Sequence, residues 1–473
     1  MQVASMHFKE RAHDGLVDAQ LQKNLVKFKT KFVAIRRSAI TELDDFEGTR
    51  EAARAIRQRA LDDLDVWLEL FERNATERGA RVLFAQTPAE INALVLDIAS
   101  RHGVRKIIKS KSMVSEESAL DHALEGAGLT VVETDLGEYI LQINDYEAPS
   151  HIIGPALHKS MEEVAELFHQ KHGTAKKSVI EDLCLEARGV LREHYLSAGM
   201  GISGGNFFVA ETGSVVLVTN EGNATLATTL PKVHIAISGI EKIVPTLEDV
   251  ATLMRVLTRS ATGQSISNYV DILTGPKGPG EFNGPEHMYF IVVDSGRSEV
   301  LGSDVKEALR CIRCGACMNH CPVYQNVGGH SYGWVYPGPI GSILTPMYVG
   351  LENALDLPHA STLCNQCGVV CPVKIPLPDL LRKLREKEFS EDLRPWHERT
   401  GLRLWAWIAR RPRLYGLVSR IGMRFLRSLA GRDGMIHKLP LGSGWTSGRD
   451  MPAPTGRTFR DLYARRKEQG SVT

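Results

Sequence analysis

Residues 81–136 read RVLFAQTPAEINALVLDIASRHGVRKIIKSKSMVSEESALDHALEGAGLTVVETDL, and their alternation decides the fold. RVLFAQ predicts a strand. PAEINALVLDIASRHG carries apolar residues at helical spacing and ends on a glycine. VRKIIKS is a second strand, SMVSEESALDHALEGAG a second helix and LTVVETDL a third strand. Strands interleaved with helices of this length imply a parallel, twisted sheet, so the fold class expected is α/β.

Before this stretch, residues 15–78 show helix-like apolar spacing among many charges, as in REAARAIRQRALDDLDVWLELFERNATERG. They predict a helical N-terminal arm over residues 1–70. After it come a helical stretch from about 161 to 198 and NFFVAETGSVVLVTNEGN, whose two apolar runs flank ETGS as in a hairpin. KVHIAISG (strand), TLEDVATLMRVLTRSATG (helix) and HMYFIVVDSG (strand) complete an α/β body over 71–300. A cysteine-bearing segment over 301–390 and a basic extension over 391–473 follow. Residues 322–360, rich in Gly, Pro and Tyr, are expected to be a structured loop region, and the last thirty residues an extended tail.

The chain has 473 residues, 43% hydrophobic and 24% charged, with 57 basic against 56 acidic side chains. That balance gives no global argument for nucleic acid. No apolar run approaches the ~20 residues that span a bilayer. The first residues, MQVASMHFKERAHDG, hold no apolar leader core, so the cytoplasm is the expected location. The Arg-rich, aromatic segment 402–427 leaves two readings open: peripheral contact with the cytoplasmic membrane face, or packing on the cluster segment or a partner subunit.

Seven of the eight cysteines lie between positions 311 and 371. In a reducing compartment such clustering points to metal rather than disulfides. Cys184 stands apart and is expected to be a small buried residue. The run CIRCGACMNHCP (311–322) has the C-x2-C-x2-C-x3-C-P spacing of two-cluster ferredoxins, in which the fourth cysteine ligates the other cluster. Zinc would need only four ligands, usually as two CxxC pairs. STLCNQCGVVCP (361–372) repeats the spacing in register, with Ser361 where the first cysteine would stand. The crossed rule then predicts a complete [4Fe–4S] set of Cys311, Cys314, Cys317 and Cys371, and a second set of Cys321, Cys364 and Cys367. The second cluster is [4Fe–4S] or [3Fe–4S]: Ser361 ligates through oxygen, stands beside an iron held by another group, or faces an empty corner. His359 is the nearest other donor, and a turn cap is the plain structural role for Ser361.

CIRCGACMNHCPVYQNVGGHSYGWVYPGPIGSILTP followed by LCNQCGVVCPVKIPLPDLL resembles the lactate-utilization iron–sulfur protein B family, as do SKSMVSEE, ETGSVVLVTNEGNA and GWTSGRDMPAP. The resemblance implies that the α/β body is a LUD domain, similar to sugar-phosphate isomerases and CoA transferases in fold. It also implies an electron-carrying subunit that acts with two partner proteins in oxidising L-lactate to pyruvate, with an acceptor such as the quinone pool. A shortened second cysteine run is common in that family. Two readings of other classes compete: a freestanding LUD-fold enzyme with isomerase or transferase chemistry, and a redox sensor. The sensor reading would need a DNA-binding or signalling partner, and no helix-turn-helix is legible.

Outside the cysteines, Lys109, Lys111 and Ser112, with Ser115 and Glu116, lie between a strand and a helix, where α/β folds bind anions. A carboxylate or phosphate site there competes with a capped helix flanked by solvated lysines. GISGGNFF (201–208) lacks the order of a dinucleotide loop. Glu211, in the position of a CoA-transferase glutamate only by fold analogy, reads better as a turn residue.

Overall fold

The computed structural model describes residues 3–440, 442–446 and 449–468. Four helices open the chain: α1 (Phe8–Val17), α2 (Ala19–Thr41), α3 (Phe46–Asp62) and α4 (Leu64–Glu77). Then β1 (Arg81–Ala85), α5 (Pro88–Arg101), β2 (Lys106–Lys109), α6 (Met113–Glu117), α7 (Leu120–Gly126) and β3 (Thr130–Glu133) follow the alternation expected. The helix expected at 112–128 is two, because Ala119 turns left-handed with φ 50°. Thr87 caps α5 ahead of Pro88, a residue suited to the first turn because its missing N–H would be unpaired there anyway.

Helices α8 (Leu136–Ile143), α9 (Met161–His172) and α10 (Ile180–Ser197) lead to β4 (Met200–Ser203). The expected hairpin is β5 (Phe207–Val209) with β6 (Ser214–Thr219), antiparallel. Next come α11 (Asn223–Thr229), β7 (Val233–Gly239), β8 (Ile243–Val244), α12 (Leu247–Ala261), β9 (Tyr269–Leu273) and β10 (His287–Val293). Six strands form one parallel sheet in the order β1-β10-β7-β4-β2-β3. β7 is buried throughout and β10 from its second residue, as their near-continuous apolar runs require of central parallel strands. A second sheet, β8-β5-β6-β9, stands beside it. Gly201 is required where α11 crosses β4, because a Cβ there would lie 1.8 Å from the Ala227 carbonyl oxygen.

The cysteine segment carries α13 (Arg297–Leu301), α14 (Ala316–Asn319), α15 (Tyr324–Val327), α16 (Gly338–Val349), α17 (Gln366–Val370) and α18 (Leu377–Ser390). The Gly/Pro-rich stretch expected to be loop therefore contains the twelve-residue helix α16. Its Pro339 sits in the first turn, and Pro346 lies inside the buried helix. Composition misled there because tertiary burial overrides propensity.

The chain divides into two compact units, Met1–Glu388 and Phe389–Thr473. In the first, one apolar core joins α3 (Phe46, Ile56), the hairpin (Phe207, Val216), α12 (Leu253, Val256), the cysteine loops (Ile312, Ala316) and α18 (Leu380, Leu384). The second holds α19 (Trp396–Ala409), α20 (Pro412–Ser428), β11 (Met435–Ile436), α21 (Ser443–Thr446), β12 (Met451–Pro452) and α22 (Phe459–Glu468). The last thirty residues are thus not wholly an extended tail: Thr458 and Asp461 bond reciprocally at the start of α22. Residues 447–448 and 469–473 of that stretch lie outside the described residues. No helix among the described residues is long and apolar enough to cross a membrane.

Candidate iron–sulfur centre and adjoining cavity

The two cysteine runs fold alike at an offset of fifty positions. Arg313 and Gly315 flank Cys314 with φ of 59° and 73°, and Leu363 and Asn365 flank Cys364 with φ of 55° and 64°. Each pair of left-handed residues turns the chain so that successive side chains converge. Gly315 also needs its lack of side chain, since a Cβ would meet the His151 ring at 3.3 Å. The likeness extends to the first position of each run. The Arg313 N–H donates to Cys311 Sγ at 3.4 Å, and the Leu363 N–H donates to Ser361 Oγ at 3.1 Å. Ser361 thus holds a turn and stands as the positional counterpart of Cys311. His359 is paired with buried Glu388 at 3.0 Å.

Cys311, Cys314, Cys317 and Cys371 line one small apolar cavity with Ile152, Ile312, Ile340 and Leu377. Cys321 is the neighbour of Cys364 and of Cys367. Cys364 is exposed, and Cys321 and Cys367 are buried. Cys184 is exposed on α10, correcting the expectation of a buried residue: the apolar stripe of that helix runs through Leu183, Ala187 and Leu191 instead.

Burial, reinforced by the sulfurs of Cys371 and Cys311, pushes the Cys314 thiol up to about 12. Burial and Cys321 push the Cys367 thiol up to about 12. The Thr362 hydroxyl and the Gln366 N–H hold the exposed Cys364 thiol below its usual value. Four sulfurs crowded into one apolar cavity strongly resist ionising together unless positive charge lies among them. That donor set fits an iron–sulfur cluster.

Basic residues of the first helices hold the cysteine loops by their carbonyls. Arg50 donates to Cys371 O at 2.7 and 3.1 Å and to Val369 O at 2.9 Å, and Arg36 donates to Val370 O at 2.9 Å. Arg57, fully buried, donates to the carbonyls of Glu241, Ile243 and Leu309. Lys242 donates to Cys311 O at 2.8 Å. The apolar helical pattern of residues 50–59 was legible, but the purpose of its arginines was not.

At the carboxyl ends of β2, β4 and β7 lies a cavity of about 300 Å³. Lys111 and Ser112 line it, together with Gly204, Asn206, Ser238 and Thr262. Its far wall is the first cysteine loop itself, through Ile312 and Arg313. Lys109, grouped with Lys111 and Ser112 in the sequence reading, does not line this cavity. Its ammonium is fully buried and reaches Glu133 at 2.6 Å, Glu116 at 2.9 Å and Asp121 at 3.1 Å. Burial alone would lower that ammonium, but the three carboxylates outweigh it and hold it well above the usual lysine range. Ser112 caps α6 by accepting from the Ser115 N–H at 3.3 Å. Lys111 makes no ion pair among the described residues and is the lysine of this group that remains at the cavity. Glu211 is a turn residue whose carboxylate accepts from the Leu247 N–H at the start of α12.

Beside the cavity, Arg297 is fully buried between Glu117, at 2.6 Å, and Glu241, at 2.8 Å. Arg313 lies 4.5 Å over the Tyr336 ring and reaches Glu241 at 3.4 Å. Neither arginine was singled out from the sequence. Arg313 alone had a signal, its place between two ligand-spaced cysteines.

The LUD domain family model matches residues 68–293, a 4Fe-4S dicluster domain matches 307–375, and the C-terminal domain of lactate utilisation protein B matches 381–468. Lactate utilization protein B of Bacillus licheniformis is 44% identical over 473 residues, covering 99% of both chains. The protein of that name from Shouchella clausii is 44% identical over 472 residues, covering 100% of this chain and 99% of its own. A crystal structure of a DUF162 family protein from Deinococcus radiodurans aligns over 49% of this chain and 98% of its own, at 16% identity and a TM-score of 0.26, too low to inform the fold. With relatives this similar along its whole length, the chain belongs to the lactate utilization protein B family.

Proposed function

We propose that this chain is the electron-carrying iron–sulfur subunit of an assembly that oxidises L-lactate to pyruvate with two partner subunits. The observation that carries the reading is the pair of cysteine runs folded alike, one thiol set lining a cavity that shares Ile312 and Arg313 with the LUD cavity and the other reaching the surface at Cys364. Cys311, Cys314, Cys317 and Cys371 would hold one [4Fe–4S] cluster, and Cys321, Cys364 and Cys367 a second, with Ser361 Oγ as its fourth donor. When bound, such clusters supply one-electron carriage between a lactate-oxidising centre and an acceptor such as the quinone pool. The chain's own residues fix the loops: Arg36 and Arg50 restrain 369–371, and Arg57 and Lys242 restrain 309–311. The exposed cysteine edge, with Leu363 and Val369 also exposed, offers a partner an approach to the second set.

The unit from Phe389 supports contact with the cytoplasmic membrane face, where a quinone acceptor resides. α19 and α20 bury no residue and expose Trp405, Trp407, Ile421 and Phe425 among arginines. The test is a deletion strain lacking any other lactate dehydrogenase. Failure to grow on L-lactate is expected, and normal growth refutes the reading. The LUD cavity also suits the alternative of a LUD-fold enzyme, and turnover of a CoA ester or sugar phosphate by cluster-free protein would favour it instead.

A further inference from the structure

The 300 Å³ cavity has no role in a plain electron carrier, yet its walls are those of a ligand site. It opens at the carboxyl ends of parallel strands, beside the point where the strand order reverses: from β2 the chain passes to β3, and from β4 it passes the other way to β7. Ligands of open α/β sheets bind at such a crevice. Three cationic side chains line it, Lys111, Lys242 and Arg313. Lys242 is committed to the Cys311 carbonyl. Arg313 shares its only ion-pair partner among the described residues, Glu241, with the closer Arg297. Lys111 makes no ion pair among the described residues. Three carboxylates line it as well: Glu241 is held by Arg297 and Arg313, Asp135 accepts the N–H groups of Gly137 and Glu138, and Glu221 accepts that of Leu136 and feels the charge of Lys111. The hydroxyls of Ser238, Thr219 and Thr262 donate to Gly205 O, Asn223 Oδ1 and Gln264 Oε1, which leaves their oxygens to accept from a ligand hydroxyl, and the Asn223 amide N–H groups can donate to a keto oxygen.

We infer that this cavity binds a small carboxylate bearing an oxygen on the adjacent carbon, a 2-hydroxy or 2-oxo acid, with Lys111 and Arg313 facing its carboxylate. The inference rests on the functional reading above in naming lactate and pyruvate as members of that class. It adds a consequence. Ile312 and Arg313 line both this cavity and the four-cysteine cavity, and the Arg313 N–H touches Cys311 Sγ. An anion paired with the Arg313 guanidinium cancels positive charge beside the first cluster, so occupancy makes that cluster harder to reduce.

The test is calorimetric titration of anaerobic, cluster-loaded full-length protein with L-lactate, pyruvate, acetate and inorganic phosphate, followed by redox titration read by EPR. Saturable binding of lactate or pyruvate is expected, with acetate at least about tenfold weaker for want of the second oxygen. The first cluster's potential should shift to more negative values in the presence of the bound acid. Lys111→Met should weaken binding about tenfold or more at unchanged iron content. Thr262→Val, distant in sequence from every cysteine, should weaken it with the spectrum intact, which separates lost binding from failed cluster assembly. No saturable binding of either acid by ~10 mM, tighter binding of phosphate, or unchanged affinity in Lys111→Met each overturns the inference. These outcomes leave the electron-carrier reading standing, whereas protein that assembles no reducible cluster sinks that reading whatever the calorimeter records.

Discussion

Replacing Lys109 with methionine separates the role the structure gives it from the anion-binding role its position in the sequence invites. The methionine keeps the side-chain volume and removes one charge from the centre of Glu133, Asp121 and Glu116, whose side chains are 4%, 10% and 26% exposed. Removing one partner of a buried ion pair costs about 3–5 kcal/mol, because the remaining charge is stranded. Glu133 and Asp121 already lie above the usual carboxylate range through burial, so without the ammonium they take up protons in the folded state. A carboxyl group with a raised folded pKa destabilises at high pH, and that loss shrinks as pH falls towards the unfolded value. The deficit of Lys109→Met should therefore be largest near pH 8 and recover by up to ~1.4 kcal/mol per pH unit for each carboxyl that protonates. Thermal unfolding of cluster-loaded protein followed by circular dichroism should show a loss of about 5 °C at neutral pH, smaller at pH 5.5. Lys109→Met with Glu133→Gln should regain part of it. A surface anion site predicts instead a change within about 0.5 kcal/mol, independent of pH, and that result would refute the reasoning.

Three further outcomes follow from other parts of the fold. Ser361→Ala should lose iron from the second cluster selectively while Ser361→Cys retains it, by iron and sulfide assay with EPR; an unchanged spectrum in the alanine variant removes Ser361 as a donor. Arg50→Met breaks three hydrogen bonds to the carbonyls of Val369 and Cys371. At about 1 kcal/mol or more apiece for charge-assisted bonds, it should hasten iron loss to a chelator more than tenfold. Burial lowers His234 to about 3, so it stays neutral in the fold, whereas its unfolded form titrates near ~6.5. Stability should thus fall as pH drops below ~6.5, and His234→Gln should flatten that slope by ~1.4 kcal/mol per unit in denaturant titrations at pH 4–6.

The alternation from β1 to β3 was legible because each element carries its own period and its own stop. The hairpin at ETGS and the central strands β7 and β10 were legible for the same reason. What failed to show was whatever depended on a distant neighbour. Lys109 and Glu133 sit opposite one another in the β2–β3 ladder, each a charge at the end of an apolar strand. That pairing could have been read had the register been known, and it would have removed Lys109 from the anion group. α16 was hidden by its glycines and prolines, since burial on nearly all sides sustains a helix whose own propensity is poor. The turn conformation shared by Arg313 and Leu363 left no trace in their side chains. The cysteine spacing alone reported that the two runs are related.

The core contacts bear on how the cysteine segment can be treated. A ferredoxin-type segment is usually pictured as a module that carries its own scaffold, and here the scaffold is borrowed. The carbonyls around Cys371 are held by arginines of α2 and α3, and those before Cys311 by Arg57 and, at Cys311 itself, by Lys242 after β7. Leu380, Leu381 and Leu384 of α18 lie in the same apolar cluster as Ile56, Phe207 and Leu253. Excising residues 301–390 would expose that surface and cut the hydrogen bonds that shape both loops, so cluster stability belongs to the first unit as a whole. The dependence runs the other way as well, because removing the segment takes Ile312 and Arg313 out of the LUD cavity wall. Because Ile312 and Arg313 line both that cavity and the four-cysteine cavity, the acid proposed above would have a direct physical route to a cluster held by those cysteines.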